Sequence, residues 1–177
     1  MNNSITENHF ERLGLPVSCD VDAQLLEENY KQLQTRFHPD RFAGMDAASR
    51  LTALQQASIL NDAYTTLKLP LARAEHLLLI QGVDAQKHDQ ADMDGSFLLV
   101  QMELREELEE AVATANPDAL DDLLVKVETE FAEVWQQFTQ TYEAGHYQAA
   151  KPVFHKLQFL HKLRVAIDEA EERLLDY

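Results

Sequence analysis

The chain has 177 residues, of which 45% are hydrophobic, enough for one large domain or two small ones with hydrophobic cores. Its formal net charge of −16 would repel phosphate backbones and anionic lipid, so we expect neither nucleic acid nor a membrane surface as a partner. No apolar run approaches the roughly 20 residues of a membrane span, and the first residues lack the basic-then-apolar order of a secretory signal. Cys19 is the single cysteine, which excludes an intramolecular disulfide and favours the cytoplasm.

The first 80 residues predict four helices and two of them are long. After a short helix that stops at Gly14, either Asp20 or Asp22 caps a second helix. The apolar residues of this second helix are spaced by four, three and four, which is typical of an amphipathic helix: Leu26, Tyr30, Leu33 and Phe37. The third helix ends before Pro70, and its predicted apolar face comprises Leu51, Leu54, Leu60, Tyr64 and Leu67. A shorter fourth helix runs from Leu71 to about Ile80.

Residues 81–93 are polar and predict a linker, after which three long helices fill residues 94–177. Asp94 or Ser96 caps the first of these, and Pro117 begins the second. The second helix ends at Gly145 and has the most regular apolar stripe of the chain: Leu120, Leu124, Val127, Phe131, Val134, Phe138 and Tyr142. Pro152 delays or kinks the third, whose predicted stripe is Val153, Leu157, Leu160, Arg164, Ile167 and Leu174. We therefore expect an all-α protein, with a helical hairpin flanked by short helices before an antiparallel three-helix bundle.

The tripeptide His38-Pro39-Asp40 stands between the two long helices of the first half. Proline disfavours helical geometry in the residue before it, so the tripeptide begins an exposed loop. A loop of this sequence between helices of this length resembles the J-domain, by which DnaJ-type co-chaperones stimulate DnaK-type ATPases. The resemblance implies a chaperone-binding site that includes the tripeptide and nearby basic side chains: His38, Pro39, Asp40, Lys31, Arg36 and Arg41. An ordinary helix-breaking turn is the alternative interpretation.

The helix that follows residue 94 has two different faces. At about 100° per residue, Phe97, Val100, Leu108 and Ala111 share the side of Leu104 and predict its buried face. Leu98, Leu99 and Met102 point away from that side and lead into the acidic residues Glu103, Glu106 and Glu110. Such a surface suits a partner with an apolar centre and a basic rim, and Phe159 could extend it. In the alternative interpretation, the leucines pack against the first half and the glutamates are only solvated.

Several segments resemble the HscB family of J-type co-chaperones in iron–sulfur cluster assembly. They are Phe97 to Glu110, Lys156 to Leu163, Glu171 to Tyr177, and Pro70 to Glu75. The resemblance implies that the J-domain, residues 1–80, activates an HscA-type ATPase chaperone. It also implies that the bundle, residues 94–177, binds an IscU-type scaffold through Leu98, Leu99, Met102, Glu103, Glu106, Glu110 and Phe159. Like bacterial members, the chain lacks a Cys-x-x-Cys zinc module before the J-domain.

The residues give little support for an enzyme. His155 and His161 are about 240° apart around a helix, so they do not face one metal site. Cys19 has no evident base to activate it, and no glycine-rich phosphate loop is present. We therefore expect no cofactor, no metal and no catalytic residue. A structural assembly factor whose J-like segment has lost its function remains an alternative to the co-chaperone.

Overall fold

The computed structural model describes residues 8–37, 39–42, 44–87 and 95–175. Seven α-helices are found there, namely α1 (His9–Arg12), α2 (Ala23–Phe37), α3 (Ala47–Lys68), α4 (Pro70–Ile80), α5 (Gly95–Ala113), α6 (Pro117–Glu143) and α7 (Tyr147–Leu175). A 3-10 turn over Pro39–Phe42 separates α2 from α3. The helices form two compact units, residues 1–80 and 81–177. The predicted all-α class, with a helical hairpin in the first half before a second helical unit, is confirmed. No helix within the described ranges is both long and apolar enough to cross a membrane.

In the first unit α2 and α3 form the predicted hairpin. Asp22, not Asp20, caps α2, because its Oδ1 accepts hydrogen bonds from the backbone N–H groups of Gln24 and Leu25. Midway along the hairpin the rings of Tyr30 and Tyr64 stack with their centres 4.2 Å apart. The Tyr30 hydroxyl also donates a hydrogen bond of 2.7 Å to Asn61. These contacts fix the register of the two helices that flank the Pro39–Phe42 turn.

The predicted apolar face of α3 is wrong at its N-terminal end. Leu51 and Leu54 are 57% and 55% exposed, whereas Ala53 is 3% exposed. Ala53 belongs to the buried stripe that continues through Leu60, Ala63 and Leu67. A small residue on the inner side allows the neighbouring elements to approach closely, and a search for large apolar residues does not detect it. Over the first two turns of α3, the buried face of the helix therefore lies on a different side from the predicted one.

In the second unit α6 and α7 form a long antiparallel pair, and α5 packs against both. Pro117 is the first residue of α6, and the Asn116 side chain accepts a hydrogen bond from Ala119 N–H, as expected of an N-cap. Pro152 lies inside α7, which begins five residues earlier, so the start of this helix is not delayed. Arg164, which the predicted stripe of α7 included, is exposed. The core of the bundle is formed by Leu104, Leu120, Phe138, Phe154, Leu157, Leu160 and Ile167.

Residues 81–87, the beginning of the predicted linker, lie in the second compact unit. Val83 and Ala85 are buried there, and Nε2 of His155 lies 2.8 Å from the carbonyl oxygen of Ala85. The Gln81 amide donates to the Tyr142 hydroxyl at 3.2 Å. Residues 88–94, which include the proposed cap Asp94, lie outside the described residues, and Ser96 is already inside α5. This segment is therefore held to the bundle at least as far as Ala85.

The connection between α5 and α6 contains a strained residue. Ala115 has φ +47°, and the backbone N–H groups of Ala115 and Asn116 close the end of α5 on Val112 and Ala111. Gly145 occupies the equivalent position after α6, with φ +77° and the same pair of hydrogen bonds. A side chain in this left-handed region costs about 1–2 kcal/mol, which glycine avoids.

Ala115→Gly should therefore raise the free energy of unfolding of the second unit by about 0.5–1 kcal/mol, after the greater flexibility of glycine in the unfolded chain is included. Urea unfolding followed by fluorescence of Trp135, the single tryptophan, reports on this unit. Ala132→Gly, at an exposed position within α6, should lower the same quantity by about 1 kcal/mol. If the two variants changed stability in the same direction, Ala115 would not be strained.

Candidate functional site

The candidate chaperone-binding loop consists of His38 and the Pro39–Phe42 turn that follows it. His38 lies outside the described residues, as do the side chains of Pro39 and Asp40. After the turn, the N–H of Met45 donates a hydrogen bond of 3.0 Å to the carbonyl of Phe42, its last residue. The turn thus lies between the end of α2 at Phe37 and the N-cap of α3, Asp46.

The three basic residues predicted around this loop do not form one cluster. Nη1 of Arg41 donates to the Thr35 carbonyl at 3.3 Å, and Thr35 lies one turn after Lys31. Arg41 is thus folded back onto the last turn of α2. Arg36 is exposed but points about 140° away from Lys31 around the helix. Lys31 and Arg36 therefore leave α2 on different sides, and Arg41 is hydrogen-bonded to the end of that helix.

Lys31 is paired with a carboxylate of its own helix. Its Nζ lies 2.6 Å from Oε1 of Glu27, one turn earlier, and both side chains are exposed. The hydrogen bond from Lys31 lowers the pKa of the Glu27 carboxyl, and the same bond raises the pKa of the Lys31 ammonium. An anionic partner that binds Lys31 would therefore compete with Glu27.

The outward side of α5 carries an apolar patch, which we define as Leu98, Leu99 and Met102. These side chains are 42%, 62% and 52% exposed, while Phe97, Leu104 and Ala111 on the opposite side are buried. The exposure agrees with the two faces predicted from the sequence. The role of the patch in binding stays a prediction.

An acidic row continues the apolar patch along α5. Glu103, Glu106 and Glu110 are exposed, and the helix carries five glutamates but a single basic residue, Arg105. Glu107, at the side of the row, forms an ion pair with Lys126 of α6. The three glutamates of the row thus remain at the surface beside the patch, where they would attract a partner with a basic rim.

Phe159 joins this surface from α7. The side chain is half-buried, and its ring meets Phe97 edge to face, with the centres 5.8 Å apart and the planes at 89°. The guanidinium carbon of Arg105 lies 5.4 Å from the centre of the Phe159 ring, and Nζ of Lys156 lies 5.1 Å from that of Phe97. Arg105, Lys156 and the contact role of Phe97 were not predicted, because they depend on how α5 and α7 pack.

A histidine pair in the first unit was also not predicted. The rings of His9 and His76 stack 4.1 Å apart, and Nε2 of His76 accepts a hydrogen bond from the His9 backbone N–H at 3.1 Å. Burial, with a smaller effect of the neighbouring His9, lowers the pKa of His76 to about 4. Burial also lowers the pKa of His9, followed by the charge of Arg12. Among the described residues, no group of three or more His, Cys, Asp or Glu could hold a metal ion.

The low pKa of His76 should make the first unit unstable in acid. The unfolded chain, with a histidine pKa of about 6.5, binds the proton more readily than the folded one. The contribution of the neutral His76 imidazole to the free energy of unfolding is therefore fully present above about pH 6.5 and is lost as the pH falls towards 4. We expect a loss of about 2 kcal/mol, less than the full pKa difference implies because water reaches part of the pair.

The imidazole signal of His76 in an NMR titration should move with a midpoint near pH 4. His76→Gln keeps a hydrogen-bond acceptor but removes the titrating group, so its unfolding free energy should depend less on pH between 6.5 and 4. A midpoint near 6.5 in the wild-type protein would contradict the buried, neutral imidazole.

Comparisons with known proteins agree with this architecture. A sequence profile of the HSCB C-terminal oligomerisation domain matches residues 93–168. The co-chaperone protein HscB homolog of Aeromonas salmonicida is 41% identical over 170 residues, which cover 96% of this chain and 99% of that protein. The structure of chaperone HscB from Vibrio cholerae matches with a TM-score of 0.84 at 41% identity, covering 95% of this chain and 99% of that one. Human co-chaperone protein HscB matches with a TM-score of 0.88 at 26% identity, covering 96% and 84%.

A helical hairpin with the Pro39–Phe42 turn, followed by a second helical unit, is an architecture that matches the solved HscB structures, which places the chain in the class of J-type co-chaperones. The curated relatives and the human structure cover nearly the whole chain and carry the name co-chaperone. The chain belongs to the HscB co-chaperone family.

Proposed function

We propose that the protein stimulates the ATPase of an HscA-type chaperone and delivers an IscU-type scaffold to it, so that iron–sulfur clusters are assembled and transferred. Residues 1–80 form the J-domain, residues 81–93 connect it, and residues 94–177 bind the scaffold. The protein performs no catalysis of its own, needs no cofactor, and works in the cytoplasm with these two partners. Membership of the HscB co-chaperone family supports this assignment.

The observation that carries the proposal is the apolar patch on α5. Leu98, Leu99 and Met102 are large, contiguous on one helix and more than two-fifths exposed, which the packing of the bundle does not require. The acidic row beside them supplies charge for steering and register. An interface with an apolar centre and a charged rim is common in transient protein complexes.

On the chaperone side, the proposal rests on the position of the turn. Pro39–Phe42 connects two helices whose register is fixed by the Tyr30–Tyr64 stack, so the loop is presented on a rigid hairpin. Arg41 in the turn donates a hydrogen bond to the last turn of α2, the helix that also carries Lys31. Cations at this place suit an acidic surface on the ATPase partner.

Titration of a purified IscU-type scaffold into the full-length protein, followed by calorimetry, tests the proposal. We expect saturable binding that weakens as salt is added, because the acidic row contributes through charge. Val125→Ala removes a side chain that is 64% exposed on α6 and lies outside the patch, so it should bind the scaffold as the wild type does. An absence of binding at every salt concentration would refute the scaffold assignment.

A further inference from the structure

Phe159 is held in its orientation by two different contacts with α5. The edge-to-face contact with Phe97 fixes one side of the ring, and the Arg105 guanidinium covers its face at 5.4 Å. Phe97 is itself 8% exposed and has Lys156 over its ring. Each ring of the aromatic pair therefore has one cation over it, Lys156 over Phe97 and Arg105 over Phe159. Phe159 is the more exposed of the two rings.

Arg105 lies on the same side of α5 as part of the apolar patch. At about 100° per residue it falls within roughly 20° of Leu98 and roughly 60° of Met102. The side chain is exposed, and its guanidinium lies over the ring of Phe159. Arg105 thus lies beside Leu98 on α5 and contacts Phe159 on α7.

The charge of Arg105 does not match its neighbours on the helix. The exposed Glu103, Glu106 and Glu110 suit a basic rim on the partner, which would repel a guanidinium in direct contact. A guanidinium that lies over an aromatic ring is instead satisfied within the protein, through the negative face of the ring. The position of Arg105 therefore favours a role other than an ion pair with the partner protein.

We propose that Arg105 is a positioning residue for scaffold binding, which acts by holding the Phe159 ring in its orientation against α5, the helix that carries the apolar patch. This inference rests on the proposed scaffold-binding function. A ring that is already ordered loses less conformational entropy when the complex forms. At an exposed site a cation–π contact contributes enough to change affinity about two- to fivefold.

Binding of the IscU-type scaffold to five full-length proteins, measured by calorimetry, tests the inference: the four members of a double-mutant cycle and Arg105→Lys. Arg105→Gln should bind about two- to fivefold more weakly than the wild type. Arg105→Lys keeps the cation over the ring and should recover most of the affinity. In the Phe159→Leu background, Arg105→Gln should cause no further loss, because its effect acts through the ring.

A spectroscopic measurement separates positioning from a general structural effect. In the free protein, NMR relaxation of the Phe159 ring should report increased motion in Arg105→Gln and wild-type behaviour in Arg105→Lys. The Trp135 fluorescence of both variants should be unchanged, since this side chain belongs to α6.

Three results would overturn the inference. An equal loss from Arg105→Gln with and without Phe159 would show direct contact between Arg105 and the scaffold. Tighter binding or unchanged binding by Arg105→Gln would show that the cation is unfavourable or irrelevant. If Phe159→Leu itself bound the scaffold like the wild type, the assignment of the scaffold surface would be refuted as well. If Phe159→Leu lost affinity while Arg105→Gln did not, only the positioning role of Arg105 would be refuted.

Discussion

His38→Gln is expected to reduce the chaperone's stimulated ATPase rate to its basal value while scaffold affinity stays at the wild-type level. Glutamine is polar and of similar size, but it lacks the imidazole of the His-Pro-Asp loop. The loop follows α2, whereas the candidate scaffold surface is formed by α5 and α7 of the second compact unit. Steady-state ATP hydrolysis by the HscA-type chaperone measures the first quantity, and calorimetric titration with the scaffold measures the second.

His146→Gln is the matched control, because it makes the same substitution at an exposed residue between α6 and α7. It should retain both activities. Loss of scaffold binding together with ATPase stimulation in His38→Gln would contradict the separation of the two sites.

Combined replacement of Leu98, Leu99 and Met102 by alanine should weaken scaffold binding by about 1–3 kcal/mol, as expected where large apolar side chains form the centre of an interface. The folded protein should lose little stability, since these side chains are 42–62% exposed and contribute little to the core. Calorimetric titration measures the affinity, and urea unfolding followed at Trp135 measures the stability.

The effect on the chaperone distinguishes this triple variant from a misfolded protein. Without scaffold, its stimulation of the ATPase should equal that of the wild type, because the J-domain is untouched. With scaffold added, the further stimulation should disappear. Wild-type affinity in the triple variant would mean that the patch is not the scaffold surface.

Much of the fold follows from local patterns that the sequence displays directly. The apolar stripe of α6 predicts one helix from Leu120 to Tyr142, and the structure places it within Pro117–Glu143. Gly145 ends it with the positive φ that a glycine cap requires. On α5, the 100° periodicity separates the buried Leu104 from the exposed Leu99 correctly. Residues a few positions apart on one helix decide all of these features.

Features that depend on contacts between distant residues could not be predicted in this way. His9 and His76 are 67 positions apart, and only the packing of the first unit stacks their rings. Arg105 reaches Phe159 because α5 and α7 pack together. The buried face of α3 includes Ala53 because neighbouring elements approach it closely. The spacing of apolar residues along α3 gives no information about that distance. The outward direction of Leu98 and Leu99 and the choice of Phe159 as their neighbour were predictable, but the contacts of the Phe159 ring with Phe97 and Arg105 were not.

Single-turnover ATP hydrolysis by the HscA-type chaperone, with this protein and the IscU-type scaffold added separately and together, tests the central claim most directly. If the protein is a co-chaperone that delivers the scaffold, it should raise the rate alone, and the two together should raise it by more than their separate effects combined. If the rate were unchanged under every combination, the Pro39–Phe42 turn would be only a connection between helices, and the co-chaperone function would be contradicted.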